Sequence, residues 1–112
     1  MQYAEITSNN KVFPVKFGMA ALSEFLDSEG LSLAEMDAIG QNLTLSRAIK
    51  LVHIGLKHGA RVAGKAFENS FEDTCDLLDA DSELMNKVLQ VFQDQMPHPE
   101  KGNAKSPQKR AK

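Results

Sequence analysis

The chain of 112 residues lacks the features that mark disulfide-bonded, membrane-spanning and secreted proteins. It contains one cysteine and no tryptophan, and its uninterrupted apolar runs are only a few residues long. With one cysteine, no disulfide framework can form within the chain. The apolar runs are too short for a membrane-spanning helix, and the first twenty residues lack the basic start and apolar block of a secretion signal. These absences favour a protein of a reducing cytoplasm, without a membrane partner.

The composition that remains is that of a globular protein, with 42% hydrophobic and 25% charged residues, enough for one domain. The net charge of −2 is unevenly distributed along the chain. Residues 1–96 carry 8 Lys/Arg and 14 Asp/Glu, which gives −6, whereas residues 97–112 carry 5 Lys/Arg and one acid, which gives +4. Pro97 and Pro99 end any arriving helix, and no side chain after them is both apolar and larger than alanine, prolines aside. We therefore predict a helical domain at 1–96 and a disordered basic tail at 97–112.

The start of the chain predicts a β-hairpin. Apolar residues alternate in VFPVKF, and the Asn9 and Asn10 pair before it tolerates the positive φ angles of a tight turn. Pro14 restricts the second strand to an edge or a bulge. A lone hairpin is marginal in water, so we expect it to pack on helices or to pair with another copy.

After Gly18 the apolar residues repeat with a helical period. The fold class predicted is mainly α, of the α+β type: about five short helices in a compact bundle with an N-terminal β-hairpin and a disordered C-terminal tail. Capping residues and glycines set the helix bounds. The helices are predicted at residues 18–28, from the Ser32 and Glu35 capping box to near Gly40, from Thr44 or Ser46 onwards, from Ser70 and from Asp81.

One segment has the spacing of a phosphate-binding P-loop, with Gly59, Gly64 and Lys65 in the required positions. Ala66 stands where serine or threonine would hold magnesium, and a helical pattern precedes the motif instead of a strand. We therefore interpret it as a helix that ends through glycines. No nucleophile elbow or glycine fingerprint is present either, so we expect no enzyme activity and no cofactor.

Metal-binding patterns are incomplete as well. A calcium loop starting at Asp79 would need glycine at Leu84 and a carboxylate at Gln90, so capping of helices is the favoured role of these acids. His53 and His58 are five residues apart, which is off the i, i+4 spacing of a shared metal on one helical face. The sequence predicts no metal site.

Two charged features are candidates for contacts. The basic stripe projects within a narrow arc of the long predicted helix, and the acidic run, residues 68–83, contains seven acids and no base. Both could be solvated faces, or they could pair within the fold or between copies of a homo-oligomer. The basic stripe consists of Lys50, His53, Lys57 and Arg61.

The last predicted helix offers an apolar candidate. Met85, Val88 and Phe92 lie at helical spacing and are proposed contacts for another chain, although core packing is an alternative for each of them.

The order of segments resembles a known family. KVFPVKFGM, AALSEFLDSEGL, LTLSRAIKLVHIGLKHGAR, SFEDTCDLLDAD and LMNKVLQVFQDQM follow one another between residues 11 and 96. This layout is similar to that of the tail assembly chaperones of long-tailed bacteriophages and of related tail components of gene transfer agents. None of these segments is a catalytic signature.

The resemblance implies a non-enzymatic protein of the host bacterial cytoplasm, absent from the mature virion. It would bind the aggregation-prone tape measure protein and help to recruit the tail tube protein. A programmed ribosomal frameshift in many such families would make the polar tail the end of an unextended product or part of a linker. The alternative, a small helical DNA-associated or regulatory protein, is supported by the basic stripe and the tail. The acidic domain and a tail without aromatic residues make nucleic-acid binding the weaker hypothesis.

Overall fold

The computed structural model describes residues 3–36, 39 and 43–95. It is mainly helical with an N-terminal antiparallel hairpin, which confirms the predicted class. The tail and the domain boundary predicted at residue 96 lie outside the described residues. The elements are β1 (Ala4–Ser8), β2 (Lys11–Val15), α1 (Met19–Glu29), a 3-10 turn (Leu33–Glu35), α2 (Leu45–Ala63), α3 (Phe71–Ala80) and α4 (Ser82–Gln95).

The number of helices needs a correction. Within the described residues there are four α-helices, where about five were expected. The difference lies after Ser32, whose N–H donates to Glu35 Oε1 at 2.7 Å, as the capping box predicts. The element that follows begins with the 3-10 turn Leu33–Glu35, and Met36 and Ile39 are helical. The rest of the segment predicted to reach Gly40 lies outside the described residues.

The hairpin forms as predicted because its two asparagines adopt positive φ angles, 52° at Asn9 and 67° at Asn10. Such a two-residue turn matches the right-handed twist of the strands. The register places Ser8 opposite Lys11 and Glu5 opposite Pro14. Since hydrogen-bonded pairs alternate along an antiparallel ladder, Pro14 falls at a position that needs no N–H towards β1. The expected edge position of Pro14 is confirmed.

Strand β2 lies directly against α2, in a notch formed by Gly55 and Gly59. A Cβ atom on Gly59 would stand 2.1 Å from the carbonyl oxygen of Pro14, and one on Gly55 would stand 2.4 Å from the ring of Phe17. The N–H of Lys16 donates to the Gly55 carbonyl at 3.1 Å. Two glycines one turn apart thus bring strand and helix backbones into contact.

The core is built around α2 and closed by α4. Leu51 and Val52 of α2 are fully buried, as is Val88 of α4. Phe17 joins the two helices: its ring packs edge-on against Phe92 with centroids 5.1 Å apart.

Three contacts tie α4, and Asp81 directly before it, to the N-terminal segment. The N–H of Phe17 donates to Gln95 Oε1 at 2.7 Å. Ser8 Oγ donates to Asp81 Oδ2 at 2.5 Å, and Lys87 Nζ donates to the Thr7 carbonyl at 3.0 Å. The first and last elements therefore lie side by side.

Helix ends follow the predicted signals. Thr44 accepts the N–H of Arg47 at 3.3 Å, and Ser70 and Asp73 cap each other's backbone at 3.0 and 3.1 Å. Helix α2 ends at Gly64 in the left-handed conformation, with φ of 75°. The P-loop-like segment is therefore a helix that ends through glycines. Among the described residues no helix is both long and apolar enough to cross a bilayer.

Candidate functional site

The lysines of the basic stripe form ion pairs with glutamates of α1. Lys50 Nζ lies 2.5 Å from Glu29 Oε2, and Lys57 Nζ lies 2.7 Å from Glu24 Oε2. Arg47 Nε adds a second contact to Glu29 at 2.9 Å. Because Glu24 pairs with the later residue of α2 and Glu29 with the earlier ones, the two helices run antiparallel. The charge pairing left open by the sequence occurs inside the fold, and its acids come from α1, not from the acidic run.

The other two members of the basic stripe also have partners. Arg61 Nε donates to His58 Nδ1 at 3.2 Å, and His58 Nε2 lies 2.8 Å from Glu24 Oε1. His53 Nδ1 shares a hydrogen bond of 2.7 Å with Thr74 Oγ1 of α3. Burial, together with the ammonium of Lys57, lowers the pKa of His53. The stripe therefore serves mainly to join α2 to α1 and α3.

The ion pairs between α1 and α2 lower the pKa values of Glu24 and Glu29. Hydrogen bonds from Lys50 and Arg47 lower the pKa of Glu29. At Glu24 burial alone would raise the pKa, but the hydrogen bonds from Lys57 and His58 outweigh it and the net shift is downward. A carboxyl group whose pKa is lowered by folding stabilises the fold at any pH where it is ionised.

Acidification is therefore expected to destabilise the protein through Glu29. The stabilisation is present above the ordinary glutamate pKa of about 4.3 and is lost as the pH falls through the lower folded value. We predict that Glu29→Gln is less stable than the unchanged protein at pH 7 and that the gap closes towards pH 3, measured by urea unfolding at both pH values. A gap of equal size at both would contradict the role of this carboxylate.

The acidic run lies mostly on the exposed face of α3. Among the described residues, none of Glu68, Glu72, Asp76 and Asp79 forms an ion pair. Asp81, as expected for a capping residue, accepts the N–H of Glu83 at 3.0 Å. The hydrogen bond from the Ser8 hydroxyl contributes most to lowering the pKa of Asp81, and the bond from the Glu83 N–H adds to it. This part of the surface is negative.

The apolar candidates on α4 lie largely inside the protein. Val88 is fully buried, Phe92 is 7% exposed, and Met85 is partly buried against the core. Their helical spacing marks the face that packs on α2 and Phe17, so in this structure they are core residues rather than an open contact surface.

Open apolar surface is found instead in a groove along α1, which we call the α1 groove. Leu22 and Leu26 form its floor, and Leu31 contributes to the wall opposite α1. Met19 and Leu33 stand at its edges and are 74% and 70% exposed. Its volume is about 400 Å³, within the range of ligand clefts.

Sequence patterns do not single out this groove. Met19 sits at an apolar position of the helical repeat and Leu33 was expected in a helix, so both are read as core residues. The sequence signal that could have indicated the groove is the position of Leu31 and Leu33, two large apolar residues that follow directly after the helix end at Gly30.

A smaller cleft of about 180 Å³ lies between β2 and the segment after α2. Its floor contains Leu56 and Ala60, and Lys65 and Ala66 of the P-loop-like segment are on its rim. No strand leads into these residues, which follow the end of α2.

The part of the chain that the structure describes contains no group of three or more histidine, cysteine or acidic side chains placed to hold a metal ion. Cys75, on α3, is a free thiol of intermediate exposure.

Comparisons with models of known protein families, with curated proteins and with solved structures give no match for this chain.

Proposed function

We propose that this chain is a tail assembly chaperone of a long-tailed bacteriophage. It is non-enzymatic, binds the tape measure protein and helps to recruit the tail tube protein during tail assembly. It works in the cytoplasm of the host bacterium and leaves before the virion is complete. The order of hairpin, α1, α2 and acid-rich α3 supports the proposal, because it is the layout on which the family resemblance rests.

The observation that carries the proposal is the α1 groove. A protein that keeps an aggregation-prone chain in solution needs apolar surface that is open before the client arrives. The groove offers this, with Met19 and Leu33 largely exposed over a floor of leucines. Methionine suits such a surface, because its unbranched side chain adapts to different neighbours.

The DNA-associated alternative needs free cations on α2. Lys50 and Lys57 are hydrogen-bonded to carboxylates of α1, and the exposed acids of the acidic run would repel a phosphate backbone. The middle of α2 is also core, since Leu51 and Val52 are fully buried. These observations weigh against a recognition helix.

Co-expression with the tape measure protein tests the function. The client is the product of the very long reading frame expected directly after the gene of this chain. We predict that it accumulates as insoluble material when expressed alone. Together with this chain it should be recovered as a soluble complex that survives affinity purification and gel filtration.

A client that stays insoluble, or that is soluble but elutes separately from this chain, would overturn the proposal. Retardation of DNA by the purified protein, without the client, would instead support the regulatory alternative.

A further inference from the structure

The α1 groove carries charge of one sign in addition to its apolar floor. Among the described residues, Asp27 is the only charged side chain that lines it, and its carboxylate has no ion pair or side-chain hydrogen bond there. Glu35 lies beside it, because its Oε1 accepts the N–H of the groove residue Ser32. The lining residues that the structure describes include no lysine or arginine. A complementary ligand therefore brings apolar surface together with positive charge.

The shape of the groove favours a helix as that ligand. The residues that α1 contributes lie between Met19 and Asp27 at spacings of three and four. At 1.5 Å per residue they span about 12 Å, which is about two turns of a helix. The second wall is the chain from Leu31 to Leu33. Grooves of this kind take the apolar face of an amphipathic helix, read at positions i, i+3, i+4 and i+7.

Two nearer occupants fit less well. The basic tail, residues 97–112, has the required charge but, prolines aside, no apolar side chain larger than alanine, so it cannot fill an apolar groove. A second copy that docks groove to groove about a two-fold axis presents the same patch twice. It would bring a second Asp27 to the interface without a base from the described lining of the groove to neutralise it.

We propose that the α1 groove binds an amphipathic helix of a partner chain. Large apolar side chains of that helix lie between Met19 and Leu33, and a lysine or arginine at the edge of its apolar stripe faces Asp27. The inference rests on the proposed function, since it specifies the kind of client segment that is bound: a helical segment with an apolar stripe edged by bases.

Two synthetic peptides test the proposal on the full-length protein. Each is a helix of about 15 residues with leucine at i, i+3, i+4 and i+7; one has lysine and the other glutamate beside the leucines. Protein labelled with ¹³C at the methionine methyl groups reports the contact. The lysine peptide should shift the Met19 resonance saturably and leave Met85, on α4, unchanged. The glutamate peptide should bind at least about tenfold more weakly.

Variants locate the contact. Leu33→Asp should weaken binding of the lysine peptide about tenfold or more. Leu45→Asp is its matched control, because Leu45 is equally exposed at 70% and lies outside the groove. Asp27→Lys should reverse the preference, so that the glutamate peptide binds more tightly. An unmoved Met19 resonance, equal binding of the two peptides, or an equal loss in Leu33→Asp and Leu45→Asp would overturn the proposal. So would a dimer, detected by sedimentation, that Leu33→Asp abolishes.

The same variants separate this inference from the proposed function. If the tape measure protein co-purifies equally with the unchanged protein and with Leu33→Asp, the function stands and the groove is not its site. If the tape measure protein does not co-purify at all but the lysine peptide still shifts Met19, the groove stands and the proposed function fails.

Discussion

Gly59→Ala is expected to cost about 3 kcal/mol or more of the free energy of unfolding, a large part of the roughly 5–15 kcal/mol typical of a small domain. The added Cβ would stand 2.1 Å from the Pro14 carbonyl oxygen and 2.5 Å from the backbone nitrogen of Val15. Both atoms belong to the backbone of β2, so no side-chain rotation relieves the overlap. The hairpin must move off α2, and urea unfolding followed by circular dichroism measures the loss.

Gly64→Ala is the matched control. Gly64 has a positive φ of 75°, but no atom lies within 4 Å of an added Cβ. Only backbone strain is introduced there, at about 1–2 kcal/mol. If Gly59→Ala proved no less stable than Gly64→Ala, the close contact between β2 and α2 would be refuted.

Phe17→Ala is expected to cost about 3–5 kcal/mol, the usual loss for truncating a buried phenylalanine. The ring is 2% exposed and fills the space between Gly55 and Phe92. Its removal leaves a cavity between α2 and α4 that the backbone of α2 cannot close. The shift of the urea midpoint measures this loss.

Two comparisons sharpen the Phe17 prediction. Phe71→Ala removes the same side chain from a position that is 38% exposed, and should cost no more than about 1–2 kcal/mol. The Phe17→Ala loss should also be smaller in a Gly55→Ala background, because the alanine methyl occupies part of the space that the ring vacates. Strict additivity of these two substitutions would contradict the packing of the ring on the notch.

Local signals made much of the fold predictable. Asn9 and Asn10 indicate the hairpin turn, Ser70 the start of α3 and Gly64 the end of α2, and the structure has each of them there. In each case the determining interaction lies within a few residues, between a side chain and its own backbone or in a backbone conformation that glycine or asparagine allows.

The notch at Gly55 and Gly59 could not be predicted from local sequence signals. A glycine inside a helical pattern indicates a weak point or an approaching end, and the spacing of Gly59 and Gly64 matches a phosphate loop. Its actual role depends on Pro14, a residue more than forty positions earlier in the chain. Only the packing of strand on helix defines it.

The surroundings of the candidate contact residues were likewise not visible in the sequence. The cations of α2 form a stripe in the sequence, but whether Lys50 is free depends on Glu29 of another helix. Met19 and Val88 both fit an apolar helical repeat, yet Met19 is mostly exposed and Val88 is fully buried. Periodicity identifies the apolar face of a helix, whereas the neighbouring elements decide how much of that face is covered.

The contacts between the hairpin and α4 also set the order in which the protein matures during synthesis. Phe17 and Gln95 are 78 residues apart, which a ribosome adding about 5–20 residues per second covers in about 4–16 s. A hairpin forms within about 10 μs once its residues are free. The N-terminal strands and α1 are therefore synthesised seconds before α4 emerges, and during that time the Phe17 ring lacks its Phe92 neighbour. The described residues that line the α1 groove, which lie between residues 19 and 33, are also synthesised before that last step.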